Sequence, residues 1–548
     1  MKKYKFKIVT VMMAGIVLSS SCKKELNIEN PNSPTLAQAS TESGLISLAA
    51  GSVYVNGFMN GNFWLGNSFF SLEYGFDELL ADDVAAQAAN QNVNVINLPA
   101  SVIFTDGTPT VKVNPTSQSA NLRVNNTRAT QGQNMFYYEW NSMYQLNNAA
   151  NQILALVATV PMSGDAGTKQ ATLKAWAYWW KGYAYARIGS IYYSGIINNA
   201  ISVTNPNYVL SAAIIAESNK NLAAASAALS SISSSNTATY TALMAQLLPS
   251  FVQTGHGGVP TPASFIANIN TLEARNLLVN TRTSAMTAAN WQTIITLAKA
   301  GIQSSDNVFT MRTTSSNGLS GATSGCVALN ASGPAQNSIF QIQERLVQDF
   351  KPGDKRFAKN FTPDTSINQV GGYTFSSRWG LLNAGLTPRP AVNSIQYADN
   401  TPGNQEIYIA GSYEENALML AEAYINTGQV EQGLTLVDAV RDYQLAGLAH
   451  VAGTGLTTAQ ALEELRKERR IALLFRGTAF YDARRWGVIY DISKGGGRTG
   501  CVVLTPDGVL HTNVTINYNF MDYWDVPADE FVLNPPAAGS APITNPNY

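Results

Sequence analysis

The stretch EELRKERRIALLFRGTAFYDARRWG, residues 463–487, indicates the fold more directly than any other part of the sequence. Just ahead of it, Thr457 and Gln460 have the spacing of a capping box, which predicts that a helix begins there. Gly477 is expected to end that helix, because glycine accepts the left-handed conformation at a helix C-terminus. A second short helix with two adjacent arginines should follow.

One charged side chain, Glu468, lies on the apolar stripe of the predicted helix. A carboxylate that is buried among apolar residues needs a positive partner. Arg484 or Arg485 on the following helix is the expected source of that partner. The alternative is a catalytic carboxylate, but a structural ion pair is the preferred interpretation.

Apolar residues at spacings of three and four recur along the chain and predict a mostly α-helical protein. The predicted helices are residues 45–55, 71–88, 135–160, 174–190, 214–230, 271–280, 291–302, 413–427, 432–443 and 457–475. Helices 413–427 and 432–443 are separated by Gly428 and predict a helical hairpin similar to a tetratricopeptide repeat. The polar segments 92–133, 307–337 and 353–404 are predicted to be long loops, which are usually functional at such lengths.

The composition limits the possible functions of the 548 residues. Hydrophobic residues make up 45% of the chain, which is enough for a large core and argues against wholesale disorder. Only 13% of the residues are charged and the net charge is -1, so a general nucleic-acid-binding protein is not expected. A surface of asparagine, serine, threonine and glutamine suits neutral polar ligands.

The N-terminus has the pattern of an export signal. Lysines within residues 2–7 precede an apolar stretch over residues 8–18, which is too short to span a bilayer, and then Ser19–Ser21 and Cys22. Small residues before a cysteine resemble a bacterial lipobox, so residues 1–21 are predicted to be a lipoprotein signal peptide. Cys22 is predicted to carry acyl chains such as palmitate, and residues 22–40 to form a tether to the membrane.

Of the three cysteines in the sequence, two remain for other roles once Cys22 is assigned to the lipid anchor. Cys326 and Cys501 could form a disulfide outside the cytoplasm, and the sequence leaves that open. A disulfide-built scaffold is excluded by so few cysteines in so long a chain.

Several blocks together resemble the SusD/RagB family of outer-membrane lipoproteins. They are residues 463–487, the W-x-x-x-Y…A-N-x-I-L pattern at 140–154, the aromatic helix at 174–189, the G-D-x-R turn at 353–356 and the ending at 524–548. Asn147 departs from the family pattern, which has isoleucine there. The resemblance extends over essentially the whole mature chain and is weakest at 92–133.

The resemblance implies an α-helical scaffold of tetratricopeptide-like helix pairs with long irregular loops and a few short strands. It implies one SusD-like domain over residues 41–548, with an N-terminal half at 41–230 and a C-terminal half at 271–548. Family members are surface lipoproteins of the outer membrane that act as a lid on a SusC-like TonB-dependent transporter. They bind oligosaccharides, less often peptides, without a cofactor and without catalysis.

Exposed aromatic side chains beside polar donors are the expected ligand contacts, because sugars present apolar faces and hydroxyl edges. One candidate group is Phe63 and Trp64, and a second is Tyr373, Arg378 and Trp379. The resemblance implies that starch-binding members carry aromatic residues in the loop after the early acidic block, so the absence of tryptophan from residues 92–133 argues against starch as the ligand. Other tryptophans lie in helical patterns and are expected to be packing residues: Trp140, Trp176, Trp179, Trp180, Trp291 and Trp486.

Two other classes of function compete with nutrient binding. A glycoside hydrolase could use the acidic cluster of Asp77, Glu78, Asp82 and Asp83, although neighbouring carboxylates on one helix are more often a solvated face. A structural or adhesive helical-repeat protein is the third possibility. The glycine run at 495–500 is expected to be a turn before a strand and not a phosphate-binding loop.

Metal binding has little support in the sequence. His256, His450 and His511 lie far apart and have no companion ligands at the spacing of a metal site. No catalytic residue and no metal site are therefore assigned.

Overall fold

The computed structural model of the chain describes residues 39–58, 74–86, 92–111, 116–201, 203–312, 340–363, 378–381, 406–505 and 507–548. Within these ranges the protein is mostly α-helical with short strands, as the sequence predicts. No helix in them combines the length and the apolar character that crossing a bilayer requires.

The helices in chain order are α1 Glu42–Ala50, α2 Tyr74–Leu80, α3 Val93–Ile96, α4 Gln118–Val124, α5 Tyr137–Val157, α6 Ala166–Ile191, α7 Ser211–Ser230, α8 Thr237–Leu247, α9 Pro262–Val279, α10 Ala288–Lys299, α11 Glu344–Val347, α12 Lys355–Asn360, α13 Tyr413–Asn426, α14 Val430–Tyr443, α15 Thr458–Ala472, α16 Ala479–Arg485 and α17 Ala528–Phe531. A π-helix, Gly51–Phe58, continues α1. The strands are β1 Val84–Ala86, β2 Ser101–Ile103, β3 Ser194–Ile196, β4 Tyr208–Leu210, β5 Thr310–Arg312, β6 Phe340–Ile342, β7 Phe361–Pro363, β8 Trp379–Leu381, β9 Glu406–Tyr408, β10 Arg498–Leu504 and β11 Leu510–Asn517.

The long helices form a chain of packed neighbours. Helix α6 packs against α5 on one side and α7 on the other, and α7 packs against α9. The series continues from α9 to α10, from α10 to α13, and then to α14 and α15. This stack of helix pairs is the scaffold that the sequence periodicity predicts.

Two glycines of α6 let α7 approach closely. A Cβ atom on Gly182 would lie 2.7 Å from Leu222 Cδ2, and one on Gly189 would lie 2.8 Å from Ile215 Cδ1. The hydroxyl of Ser218 donates a 2.7 Å hydrogen bond to the Gly182 carbonyl across the same contact. Any larger residue at these two positions would force the helices apart.

The predicted hairpin of α13 and α14 is confirmed. Gly428 follows the end of α13 with φ of 82°, a conformation that favours glycine, and the backbone N–H of Gln429 donates to the Tyr424 carbonyl. In α14, Gly433 lies so close to Ala421 that a Cβ atom would approach the Ala421 carbonyl oxygen to 2.7 Å. The small residues at this contact therefore set the distance between the two helices.

Short antiparallel strands tie distant parts of the chain together. The pairs are β1 with β6, β3 with β4, β5 with β9 and β7 with β8, and one three-stranded sheet has the order β10-β11-β2. The prediction of an irregular loop over residues 92–133 is wrong, because α3, β2 and α4 lie within it. The glycine run at 495–500 is a turn, and β10 begins within it at Arg498.

The prediction of one long helix over residues 71–88 is also wrong. The helix α2 ends at Leu80, Asp82 adopts φ of 63°, and the chain continues as β1. The four acidic side chains of this segment are not a solvated face either. All of them are buried: Asp77, Glu78, Asp82 and Asp83.

Each of these carboxylates has a specific donor from a distant element. Asp82 accepts hydrogen bonds from Arg345 at 2.7 Å, and Asp83 accepts one from Arg470 at 2.5 Å. Asp77 lies 3.4 Å from Arg187 on α6, and Glu78 accepts the backbone N–H of Phe475 at 2.9 Å. A charged group inside a protein is tolerated only with such partners. The amphipathic pattern of the sequence does not predict the burial of these carboxylates, because their donors lie on other elements.

Glu468 is fully buried and ion-paired as expected, but the predicted partner is wrong. Arg356 donates to both carboxylate oxygens, at 2.5 and 3.1 Å, and Arg441 donates at 2.8 Å. Burial by itself would raise the pKa of Glu468, but the positive charges and hydrogen bonds of Arg356 and Arg441 hold it below the ordinary value. The G-D-x-R turn thus supplies the counter-charge.

Arg484 and Arg485 have other partners. Arg484 donates to three backbone carbonyls, those of Ser190, Val279 and Asp522. Arg485 pairs with Glu422 of α13 at 2.6 Å and with Asp482 at 2.7 Å. These contacts dock α16 onto the end of α6 and onto α13, whereas Glu468 faces α12 and α14.

Cys501 is buried in β10 and is a free cysteine in the structure. Burial raises the pKa of its thiol to about 11, so it is not a reactive thiolate near neutral pH. Cys326 and Cys22 lie outside the described residues. The possible disulfide between Cys326 and Cys501 therefore stays untested.

We expect Glu468→Gln to lower the free energy of unfolding by on the order of 3 kcal/mol, because it leaves two buried guanidinium groups without their shared carboxylate charge. Urea denaturation of the full-length chain measures this difference. Glu463→Gln on the same helix is the control, since that side chain is 58% exposed and should change stability little. Equal stability of the two variants would contradict the assigned ion pairs.

Candidate functional site

Of the ligand-contact residues predicted from the sequence, Phe63, Trp64 and Tyr373 lie outside the described residues. Arg378 and Trp379 are described and lie at the start of strand β8. The structure therefore bears on two of the five predicted positions.

Arg378 and Trp379 both have partners inside the protein. The guanidinium of Arg378 donates to both carboxylate oxygens of Glu344, at 3.0 and 2.9 Å, while the Arg378 side chain stays 46% exposed. The ring of Trp379 packs edge-on against Phe357 with 4.8 Å between ring centroids. Their contacts anchor β8 beside α11 and α12.

A more complete constellation lies where β9 meets the hairpin of α13 and α14. We call it the tyrosine–histidine cluster and define it as His256, Glu406, Tyr408, Tyr413 and Tyr443. All five residues are partly exposed. This combination of aromatic faces, a carboxylate and an imidazole has the character that we expect of a sugar-binding surface.

His256 connects the members of the cluster. Its Nδ1 atom lies 3.0 Å from a carboxylate oxygen of Glu406, and its Nε2 atom lies 2.7 Å from the hydroxyl of Tyr443. The backbone N–H of His256 donates to Glu406 at 2.9 Å, and the Tyr408 hydroxyl lies 3.3 Å from Nδ1. A carboxylate can only accept, so Nδ1 carries the proton in the contact with Glu406.

The aromatic rings are held at defined angles. The rings of Tyr413 and Tyr443 meet edge-on, with 4.9 Å between centroids. The guanidinium of Arg476 lies 4.0 Å from the centroid of the Tyr408 ring and also pairs with Glu414 at 3.1 Å. The cluster is therefore a preorganised surface and not a set of free side chains.

The backbone around His256 requires glycine on both sides. Gly255 has φ of 59°, and a Cβ atom there would lie 2.6 Å from the Arg312 guanidinium. A Cβ atom on Gly257 would lie 2.2 Å from the Val252 carbonyl oxygen. In the β5–β9 pair, Arg312 is the register partner of Glu406, so strand pairing brings the carboxylate to this turn.

Sequence reasoning missed the tyrosine–histidine cluster. His256 and Glu406 are 150 residues apart, and no local pattern connects them. One signal was available, because Tyr413 begins α13 and Tyr443 ends α14. In an antiparallel hairpin, the first residue of one helix lies beside the last residue of the other, which predicts that these two rings meet.

The histidines each have a carboxylate neighbour. His450 lies 2.9 Å from Asp442, and His511 lies 2.6 Å from Asp106. In the part of the chain that the structure describes, no group of three or more histidine, cysteine or acidic side chains is placed to hold a metal ion. The cluster therefore offers hydrogen bonds and aromatic faces as its means of recognition.

The pKa of His256 is raised above its ordinary value of 6.5, chiefly by its hydrogen bond to Glu406 and against the effect of burial. A proton bound more tightly in the folded state stabilises the fold below about pH 6.5. That contribution is lost as pH rises through the folded pKa. Below the folded pKa, the imidazolium donates to Tyr443 as well as to Glu406.

Residues 316–531 match the model of the SusD family. A SusD superfamily protein from Parabacteroides distasonis superimposes with a TM-score of 0.56 at 11% identity, covering 91% of this chain and 99% of that one. A SusD superfamily protein from Bacteroides fragilis gives 0.52 at 15% identity, with 93% and 100% covered.

A SusD-like carbohydrate binding protein from Bacteroides vulgatus gives a TM-score of 0.51 at 12% identity, with 93% of this chain and 99% of that one covered. No curated protein matches the chain. At such identities the structural likeness shows the fold, and it extends over nearly the full length of each of these three proteins.

We expect Glu406→Gln to lower the pKa of His256, because the substitution removes the largest cause of its raised value and leaves burial unopposed. An NMR titration of the imidazole C–H signals measures this. The chain has only three histidines, so the signals of His450 and His511 are internal references in the same sample. An unchanged pKa of His256 would contradict the assigned contact.

Proposed function

We propose that the chain, whose residues 316–531 match the model of the SusD family, is a member of that family that binds a glycan at the cell surface and delivers it unaltered for import. The tyrosine–histidine cluster is the observation that carries the proposal. Its partly exposed rings can stack on the apolar faces of a sugar while Glu406, His256 and the tyrosine hydroxyls bond to hydroxyl groups. The low charge of the chain suits a neutral ligand.

The proposed mechanism is binding without chemistry. Paired carboxylates could hydrolyse a glycosidic bond, but those of the segment 74–86 are buried and engaged by arginines or a backbone N–H. A carboxylate in that state cannot reach a polysaccharide. The similar protein from Bacteroides vulgatus is a SusD-like carbohydrate binding protein, which supports a binding role for this chain.

We propose that the other predicted contact residues extend the same surface. Arg378 and Trp379 are partly exposed among the described residues. Phe63, Trp64 and Tyr373 lie outside the described residues and stay predicted contacts.

We further propose that residues 1–21 are removed and that acyl chains on Cys22 hold the protein to the outer membrane through the tether at 22–40. Residues 41–548 then form the SusD-like domain. A SusC-like TonB-dependent transporter is the proposed partner, and the bound glycan favours the closed position of the domain as a lid over it. The match to the SusD family model and the predicted lipobox support this arrangement.

We expect Tyr443→Ala to weaken glycan binding roughly tenfold, because the variant loses an aromatic face and the hydroxyl that bonds His256. Retention of the full-length chain on a glycan array identifies the ligand, and calorimetry with that glycan measures the loss. Tyr424→Ala is the control, since Tyr424 lies near the other end of α13 beside Lys299. Equal losses in both variants, or no glycan bound by the unaltered chain, would count against the site.

We expect the chain to copurify with a large outer-membrane barrel after mild detergent extraction, and Cys22→Ser to release it from the membrane fraction. The acyl chains supply the membrane affinity, since each buried CH₂ contributes about 0.8 kcal/mol. Immunoblotting of membrane and soluble fractions reads out the release. Recovery of the unaltered chain from the cytosol with residues 1–21 attached would contradict the proposal.

A further inference from the structure

A cavity that shares no residue with the tyrosine–histidine cluster lies between α5, α6, α7 and the loop after β3. Its volume is about 610 Å³, within the range of roughly 300–1,000 Å³ that is usual for small-molecule sites. The polar lining comes from three asparagines, two lysines and one glutamate: Asn151, Asn199, Asn221, Lys181, Lys220 and Glu217. Apolar side chains and the partly exposed ring of Tyr178 complete the wall.

Lys181 is the unusual member of this lining. Its side chain is buried, with only 3% of the residue exposed, and it is the one lysine buried among the described residues. Of those residues, Asn151 supplies its only hydrogen-bond acceptor, the amide oxygen Oδ1. Burying an ammonium group without a counter-charge is costly.

The buried arginines show how this chain otherwise treats an interior cation. Arg187, Arg345, Arg356 and Arg470 each pair with a carboxylate, and Arg484 has three carbonyl acceptors. Among the described residues, Lys181 has one neutral amide as its hydrogen-bond acceptor, the Tyr185 ring with its centroid 6.0 Å from Nζ, and no carboxylate within hydrogen-bond distance. An acceptor from outside the chain would therefore complete its coordination.

Glu217 does not fill that role. Its Oε1 atom accepts from Asn199 at 3.0 Å and from Asn221 at 3.2 Å, and its Oε2 atom lies 3.2 Å from Lys220. The carboxylate is thus held on the side of α7 and neutralises the rim lysine, Lys220. One positive charge, that of Lys181, is left over in the cavity.

The wall around Lys181 is rigidly built. The amide N–H of Asn151 donates to the Asn198 carbonyl at 3.0 Å, which turns Oδ1 toward the lysine. Tyr185 bonds both the N–H and the carbonyl of Asn198, and Asn147 bonds that carbonyl too. The loop that closes the cavity is therefore fixed by buried side chains of α5 and α6.

We propose that this cavity binds a saccharide that carries one carboxylate group, with the carboxylate against Lys181 and the hydroxyls against Asn199, Glu217 and Asn221. The apolar wall and the Tyr178 ring accept the C–H face of the sugar. The site is separate from the tyrosine–histidine cluster and does not depend on the function proposed for it. Its ligand class differs as well, because the cluster suits a neutral glycan.

Calorimetry of the full-length chain at pH 7 with glucuronate, glucose and acetate tests the proposal. Glucuronate should bind at least tenfold more tightly than either glucose or acetate. Lys181→Met should remove the preference for glucuronate over glucose, and Lys220→Met, at the exposed rim, should reduce it less than threefold. Equal affinities for glucuronate and glucose, or for glucuronate and acetate, would overturn the proposal.

A pH series on the unaltered chain keeps the test decisive if Lys181→Met does not fold. Burial lowers the pKa of Lys181 to about 8, so raising the pH to 9.5 neutralises the lysine while glucuronate stays charged. The preference for glucuronate should fall at least fivefold, and a constant preference would overturn the proposal. Tyr443→Ala should leave glucuronate binding unchanged. A loss of glucuronate binding in that variant would place the ligand at the tyrosine–histidine cluster and overturn the proposal for the cavity.

Discussion

Buried carboxylate–guanidinium pairs are the constraint on which the rest of the structure depends. The segment 74–86 is bound by Arg187 from α6, Arg345 from α11 and Arg470 from α15. Because an unpaired interior charge is strongly destabilising, these elements can pack only in the arrangement that satisfies every pair. The pairs therefore join the N-terminal helices to the C-terminal ones more specifically than apolar packing alone would.

The pairing of charged side chains inside the protein also limits which side chains are left to recognise a ligand. With only 13% of its residues charged and many of those engaged inside, the chain has little charge for steering a ligand over long distances. Among the described residues, the tyrosine–histidine cluster and the cavity at Lys181 both retain accessible polar side chains. Both depend on shape, hydrogen bonds and ring faces, which are the means by which proteins recognise sugars.

The two places differ in how their charges are balanced. At the cluster, Glu406 meets both His256 and Arg312, so the surface is electrostatically complete without a ligand. At the cavity, Lys181 has only an amide oxygen from the described residues. The first arrangement is suited to exchanging neutral ligands, and the second favours an anion. A nutrient-binding protein with both could hold glycans of two kinds at once.

The sequence by itself indicated most of the long helices, the capping box at Thr457, the hairpin around Gly428 and the family resemblance, because these depend on residues within a few turns of one another. It also indicated that Glu468 is buried and paired. Only the tertiary structure decided that the partner is Arg356, 112 residues away, and that Glu406 meets His256. Periodicity records which face of a helix is apolar, but the partner of a buried charge is selected by packing between elements that no local pattern connects.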